Sequence, residues 1–111
     1  MAHYLIANVK VNDPGWIPDY AANVHEIVHR HGGKYLSRSG NVTTLEGTKS
    51  TADMIALIEF PTEAALQAFM ADPDYAPFAN ARKAGTDSQL LGIDAVDAAG
   101  TIPYLTGSGQ N

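Results

Sequence analysis

The chain has no cysteine, which excludes disulfide cross-links, thiolate metal sites and cysteine nucleophiles. Basic residues are also few, because seven lysines and arginines are spread along 111 residues and are outnumbered by twelve aspartates and glutamates. Such an acidic chain lacks the basic stripe that follows nucleic-acid phosphates, and it is a poor match for an anionic membrane surface. We therefore predict a protein with no nucleic-acid partner and no membrane partner.

Long apolar runs are missing as well, since no stretch approaches the roughly 20 residues that a membrane-spanning helix needs. The opening residues 1 to 4 do not combine a basic region with the apolar run and cleavage site of a secretory signal. Hydrophobic residues nonetheless make up 45% of the chain and charged residues only 17%, a balance typical of a globular domain. We expect a cytoplasmic protein with a single core.

The spacing of apolar residues predicts the elements in the first half of the chain. Residues 3 to 11 alternate with the period of a strand. From Ile17 to His31 apolar residues recur every three or four positions, which indicates a helix, and Gly32-Gly33 supplies its left-handed stop. Residues 34 to 39 indicate a second strand, which residues 41 to 47 continue or pair with.

The second half of the chain follows the same order. Met54 to Phe60 is the most apolar strand, and Thr62 is a good N-cap for the helix that follows. Asp72-Pro73 interrupts that helix, because proline lacks the backbone donor and disfavours helical geometry in the residue before it. A second helical segment runs from Tyr75 to Ala84, and residues 89 to 96 form the last strand.

The resulting order, β-α-β-β-α-β, predicts an α+β protein with a ferredoxin-like sandwich and an antiparallel sheet. We expect one domain over residues 1–97 and a C-terminal tail over residues 98–111, which is rich in glycine, serine and threonine. The apolar residues Ile102, Tyr104 and Leu105 leave two alternatives for this tail. It docks on a domain, or it is a frayed end.

The predicted strands carry more apolar surface than two helices can cover. Residues 54 to 58 are apolar without a break, and Leu90-Leu91 precede Ile93 in the last strand. Where helices cover one face of a sheet and water meets the other, alternate residues should be polar. We therefore predict that the second face packs on another copy of the chain in an isologous homodimer.

The segment His25-Glu26-Ile27-Val28-His29 matches H-E-x-x-H, the zinc-binding helix of many metalloproteases. At about 100° per residue, however, the two histidines fall roughly 100° and 140° from the apolar stripe centred on Val24, which points them to solvent. Tyr35 stands at the third-ligand position of the longer metzincin motif, and no histidine follows Gly32. We predict no metal site and no cofactor, with a zinc hydrolase as a distant alternative.

Polar residues at apolar positions are the remaining candidates for a site. Arg82 lies on the apolar side of its helix, where a cation is costly unless a carboxylate or an anionic ligand pairs with it. Carboxylates beside arginine form a ligand clamp or an acid–base pair. Structural roles are the alternatives, namely an internal salt bridge for Arg82 and a network that fixes dimer register for the strand residues. The polar residues within strands are Asn8, Arg38, Glu59 and Asp94.

Three motifs follow one another along the chain: Gly-Gly-x-Tyr-Leu-x-Arg at residues 32 to 38, Leu-Glu-Gly at residues 45 to 47, and Ile-Glu-Phe-Pro at residues 58 to 61. In this order they resemble the bacterial domain of unknown function 1330 family, of the dimeric α+β barrel superfamily, over about residues 3 to 96. The resemblance implies a ferredoxin-like protomer that dimerises through its sheet. The polar motif positions that it implies are Arg38, Glu46, Glu59, Tyr75 and Arg82.

These observations predict a homodimer that holds a small anionic or carbonyl-bearing organic molecule between sheet and helices. The wider superfamily includes cofactor-free monooxygenases, isomerases and haem enzymes, and a shared fold does not transfer chemistry. Cofactor-independent proton transfer or oxygenation is one hypothesis, and a non-catalytic dimeric binding module is the other. The catalytic candidates are Glu59, Arg38 and Glu46, and the ligand-binding candidates are Arg82, Tyr75, Asn8 and Asp94.

Overall fold

The computed structural model describes residues 1–105, in which four strands form one antiparallel sheet. In chain order the strands are β1 (His3–Val11), β2 (Lys34–Ser39), β3 (Met54–Phe60) and β4 (Thr86–Asp94). Their order across the sheet is β2-β3-β1-β4. The two most apolar strands, β1 and β3, therefore lie at the centre.

Three α-helices connect the strands, and they lie on one face of the sheet. They are α1 (Ile17–Arg30), α2 (Glu63–Met70) and α3 (Ala76–Gly85), with short 3₁₀ helices at Pro14–Trp16 and Ala99–Thr101. The described core is one cluster between the helices and the sheet. None of the helices within residues 1–105 is long and apolar enough to cross a membrane.

Local chemistry sets the helix ends. The Thr62 hydroxyl accepts a hydrogen bond from the backbone N–H of Ala65 at 3.0 Å, so the predicted N-cap of α2 is confirmed. Gly32 has a φ of +79°, the left-handed geometry that glycine adopts without strain. The chain can therefore leave α1 there and enter β2 two residues later.

The face of the sheet opposite the helices carries a row of apolar side chains. Ile6 of β1 pairs with Leu57 of β3 on one side and with Leu91 of β4 on the other. Leu91 is 50% exposed and Ile93, two residues along the same strand, is 54% exposed. The sheet thus has the second apolar face that the sequence predicts, and the helices leave it open.

The ferredoxin-like arrangement is confirmed, and the bounds of β1, β2 and β3 agree with the prediction. Two strand predictions are wrong. Residues 41 to 47 form no strand, and β4 begins at Thr86 rather than at residue 89. Of the predicted tail, residues 106–111 lie outside the described residues, and its docking stays a prediction.

Side-chain hydrogen bonds explain both differences. In the β2–β3 connection, the backbone N–H of Asn41 donates to the Ser39 hydroxyl and that of Ser50 to the Thr44 hydroxyl, which offers the backbone an alternative to a strand ladder. At the start of β4, the Thr86 hydroxyl donates to the backbone carbonyl of Arg82 at 2.7 Å. A polar residue is therefore accommodated on the helix-facing side of that strand.

Gly85 is a position where the backbone leaves no room for a side chain. A β-carbon there would lie 2.5 Å from the Trp16 ring and 2.7 Å from the backbone carbonyl oxygen of Asp13. The backbone carbonyl of Gly85 itself accepts hydrogen bonds from the backbone N–H groups of Asn12 and Asp13. The junction between α3 and β4 thus fixes the turn after β1 and the position of Trp16.

We expect Gly85→Ala to lower the free energy of unfolding by about 1–3 kcal/mol, because backbone atoms must shift to admit the methyl group. Urea denaturation followed by circular dichroism measures the change. Gly100→Ala is the matched control, since a β-carbon at Gly100 meets nothing within 4 Å. Equal stability of the two variants would contradict the close approach.

Candidate functional site

A cavity of about 300 Å³, which we call the helix–sheet cavity, lies between the sheet and the helices. Val24 and Val28 of α1 line it above the sheet, and Tyr75 lines it at the start of α3. Arg38 and Asp53 are lining residues with exposed side chains, so the cavity meets solvent on that side. The sheet lines it with Leu5, Ala7, Val9, Ala56, Ile58 and Leu90.

Arg82 is the buried cation of this cavity. It is 4% exposed, and its Nη1 donates to the Ser88 hydroxyl at 2.6 Å. Its Nε is buried and has no hydrogen-bond partner. The ion pairs within residues 1–105 join other residues, so no carboxylate balances this guanidinium in the described part of the chain.

Trp16 supplies a second buried donor without an acceptor, because its indole Nε1 has no partner either. The Asp13 carboxylate accepts from the backbone N–H of Gly15 at 2.9 Å, which holds the 3₁₀ turn that carries the indole. The Trp16 and Tyr20 rings meet edge to face with centroids 5.2 Å apart. Trp16 therefore stands beside α1 and lines the cavity.

Tyr20 and Tyr75 join their hydroxyls across the cavity wall, with the two oxygens 3.0 Å apart. Burial, and after it the neighbouring Tyr75, raises the pKa of the Tyr20 phenol far above its usual value. The Tyr20 hydroxyl thus stays protonated near neutral pH. One of the two hydroxyls donates its proton to the other, and the hydroxyl that accepts can donate its own proton to a ligand.

Arg38 reaches the exposed side of the cavity because β2 contains a bulge. Tyr35 pairs with Ile58 and Arg38 pairs with Ala56, although Arg38 comes three residues after Tyr35 and Ala56 only two residues before Ile58. The extra residue places Tyr35 and Arg38 on the same face, where the guanidinium lies 3.8 Å above the tyrosine ring. Burial raises the pKa of Tyr35.

Of the predicted site residues, Arg38, Tyr75 and Arg82 line the helix–sheet cavity. The structure does not bring Glu46 or Glu59 to them. Glu46 is exposed in the β2–β3 connection.

The other predicted strand residues lie elsewhere. Glu59 pairs with Tyr4 on the open face of the sheet, which Asn8 shares because it is in register with Ile55. Asp94 faces the helices at the far end of β4, where its carboxylate is 3.2 Å from Nδ1 of His3. The four polar strand residues therefore divide between the two faces, with Asn8 and Glu59 on the open face and Arg38 and Asp94 on the helix side.

The two histidines of the H-E-x-x-H segment differ in position. His29 is exposed, as predicted, whereas His25 is half-buried and lines the cavity. Their rings meet edge to face with centroids 5.8 Å apart. Within residues 1–105, no group of three or more metal-ligating side chains is placed to hold an ion.

Sequence reasoning missed Trp16, Tyr20 and His25 as lining residues. Tyr20 lies on the apolar stripe of α1, where an aromatic residue indicates core rather than site. Trp16 precedes the helix in a turn, so no periodicity marks it. The one sequence feature that distinguishes Trp16 is that it is the single tryptophan of the chain.

The Asp72 carboxylate ties the end of α1 to the connection between α2 and α3. Its Oδ2 lies 2.7 Å from Nε2 of His31 and 3.2 Å from Nη1 of Arg30. The His31 ring, followed by the backbone N–H of Asp74, holds the pKa of the Asp72 carboxyl below its usual value. The backbone N–H of Tyr75 donates to the carbonyl of Asp72 at 3.0 Å, which positions that tyrosine.

We expect Asp72→Asn to lower stability at neutral pH and to weaken the loss of stability in acid. A carboxyl with a lowered folded-state pKa stabilises the fold above its unfolded pKa, and the stabilisation is lost as the pH falls through the folded pKa. Urea midpoints between pH 2 and pH 7 measure it. Glu26→Gln, at an exposed position of α1, is the control. Parallel pH profiles for wild type and Asp72→Asn would contradict the assignment.

Solved structures share this fold at low sequence identity. A protein of unknown function from Rhodopseudomonas palustris superposes with a TM-score of 0.71 and 21% identity, over 86% of this chain and 83% of that chain. SnoaB, a cofactor-independent oxygenase from Streptomyces nogalater, gives a TM-score of 0.61 and 16% identity, over 87% and 95%. A dimeric ferredoxin-like protein of unknown function from Thermobifida fusca gives 0.53 and 16%, over 84% and 90%. At these identities the similarity establishes the fold alone.

Sequence comparison gives the family. No curated protein shows significant similarity to the chain. The model of one family, described as a domain of unknown function (DUF1330), matches residues 2–96, which include the four strands, the three α-helices and each lining residue named above. This chain therefore belongs to the DUF1330 family.

Proposed function

We propose that this protein is a homodimer that binds a small organic acid or carbonyl compound in the helix–sheet cavity. The observation that carries the proposal is the Arg82 guanidinium, which is 4% exposed and has a buried Nε without an acceptor. Burying a cation without a counter-charge is costly, and an anionic or carbonyl oxygen offsets that cost. The cavity volume of about 300 Å³ is at the small end for ligand pockets.

The polar groups on the buried side of the cavity have one chemical character. The unpartnered atoms, Arg82 Nε and Trp16 Nε1, are both donors, and the Tyr20–Tyr75 pair has a hydroxyl proton to give. A ligand that complements them presents acceptors at one end and an apolar body to the valine and leucine side chains around it. Carboxylates and ketones meet this requirement, whereas amines do not.

The homodimer is supported by the open face of the sheet. The row formed by Ile6, Leu57 and Leu91 is apolar and lies away from the helices. The Thermobifida fusca protein of the same fold is described as dimeric. Packing this face on its copy removes the row from water in both subunits. In that arrangement Asn8 and Glu59 lie at the subunit interface.

Two observations bear on whether the bound molecule is also transformed. SnoaB, which shares the fold, is a cofactor-independent oxygenase, which supports an enzymatic role with oxygenation or proton transfer. Glu46 and Glu59 lie outside the cavity, which favours the non-catalytic alternative if either glutamate is the required base. Binding is common to both alternatives, and it is the property to test first.

We expect Arg82→Met to weaken the binding of 3-phenylpropionate at least tenfold, because a hydrogen bond to a charged group contributes about 1.5–3 kcal/mol. The fluorescence of Trp16, the one tryptophan, reports binding from the cavity wall. Lys83→Met removes the neighbouring exposed cation and is the control.

A second variant protects this test against misfolding of Arg82→Met. Ala7→Leu narrows the cavity without touching the guanidinium, and it should also weaken 3-phenylpropionate. Circular dichroism of each variant establishes that it is folded. Unchanged affinity in both folded variants would place the ligand elsewhere, and absence of binding to the wild type up to millimolar concentration would contradict the proposal.

We expect Leu57→Arg to convert the dimer into single subunits, because it places a charge in the centre of the apolar face. Sedimentation velocity at micromolar concentration measures the change. Met70→Arg, at a position 39% exposed on α2, introduces the same charge on the helix side and should leave the dimer intact. A wild-type protein that sediments as one subunit would rule the homodimer out.

A further inference from the structure

Two side chains that line the helix–sheet cavity carry an atom that can accept a proton from a ligand, and they are His25 and Asp53. Asp53 is exposed, and its Oδ2 already accepts a hydrogen bond from the backbone N–H of Val11 at 2.7 Å. That carboxylate therefore has a structural partner, which holds the end of β1.

His25 has no such role. It is half-buried in the wall of the cavity, and its ring touches His29 edge to face with centroids 5.8 Å apart. Within residues 1–105, no hydrogen bond to another residue occupies a nitrogen of the ring. A neutral imidazole at this position has a lone pair to offer to a molecule in the cavity.

The donors described above line the same cavity as this base. Arg82 Nε and Trp16 Nε1 are buried donors without acceptors, and such donors stabilise negative charge that develops on oxygen far better in a buried site than in water. A proton acceptor and an unoccupied set of donors around one small cavity are the two requirements for removing a proton next to a carbonyl group. Neither requirement involves Glu46 or Glu59.

We propose that the ligand is an enolisable 2-oxo acid and that the protein exchanges the proton on the carbon next to its ketone, with His25 as the base. This inference rests on the proposed function, because it assigns a substrate class and a reaction to the same cavity. It replaces the glutamates with His25 in the catalytic role. It needs neither an oxidant nor a metal.

The reaction is balanced with the groups present. The bond between hydrogen and the carbon next to the ketone breaks, and its electron pair forms a carbon–carbon double bond while the carbonyl π pair moves to oxygen. The proton goes to the His25 imidazole, and the enolate oxygen accepts hydrogen bonds from Arg82 and Trp16. The proton held by His25 exchanges with solvent, and transfer of the solvent-derived proton to the same carbon restores the 2-oxo acid with solvent hydrogen incorporated.

Phenylpyruvate in deuterated water tests the inference by proton NMR. The wild type should accelerate loss of the methylene signal about 100-fold or more over the protein-free rate, the usual contribution of general acid–base catalysis. His25→Gln should return the rate close to background and leave the affinity for 3-phenylpropionate, which lacks the ketone, within about threefold.

The same helix provides the matched control. His29→Gln changes an exposed histidine of the H-E-x-x-H segment that does not line the cavity, and it should exchange phenylpyruvate at the wild-type rate. Asp53→Asn tests the other acceptor in the wall. Loss of exchange in folded Asp53→Asn with retention in His25→Gln would overturn the assignment of the base.

Binding and exchange separate the two proposals. If 3-phenylpropionate binds and Arg82→Met abolishes binding, but the wild type does not accelerate exchange, the proposed function stands and this inference fails. If neither compound binds, both fail. Exchange that His25→Gln abolishes and His29→Gln preserves supports both.

Discussion

The unpaired charge of Arg82 is the constraint on which the packing of β1, α3 and β4 against one another depends. The guanidinium reaches its buried position because the last turn of α3 packs on the sheet, and there it has one hydroxyl partner and no carboxylate within residues 1–105. Thr86 is the first residue of β4, and its hydroxyl donates to the backbone carbonyl of the same arginine. A buried cation of this kind destabilises the isolated fold, and a ligand that supplies negative charge recovers that free energy.

The strands were predictable where side chains alternate or run apolar over five residues or more. β1 and β3 have this property, because both lie in the centre of the sheet and carry apolar side chains on both faces. β4 begins with a threonine, an aspartate and a serine, which no hydrophobic period marks. Its start depends on a contact with α3 that forms only in the folded chain. The tertiary structure therefore decides that boundary.

The site was predictable only in part, and the reason is geometric. Arg82 was found because a cation on an apolar helical stripe conflicts with its surroundings at the level of sequence. Arg38 reaches the same cavity through the bulge in β2, and without that extra residue it would lie on the opposite face from Tyr35. Glu59 lies one residue out of phase with Ile58 and so faces away from the helices. A one-residue shift in strand register moves such a side chain to the other face, and the register could not be read from the sequence pattern.

The hydrogen bonds of Asp72 have a consequence for the side on which the cavity is open to solvent. They fasten the end of α1 to the turn before α3, so the two helices that carry Tyr20 and Tyr75 are held together at that end. Parting these helices would break charged hydrogen bonds, whereas β2 is an edge strand followed by a connection without regular structure. The cavity is therefore most accessible to solvent beside β2, where the exposed Arg38 side chain covers the Tyr35 ring and can rotate without disturbing the backbone.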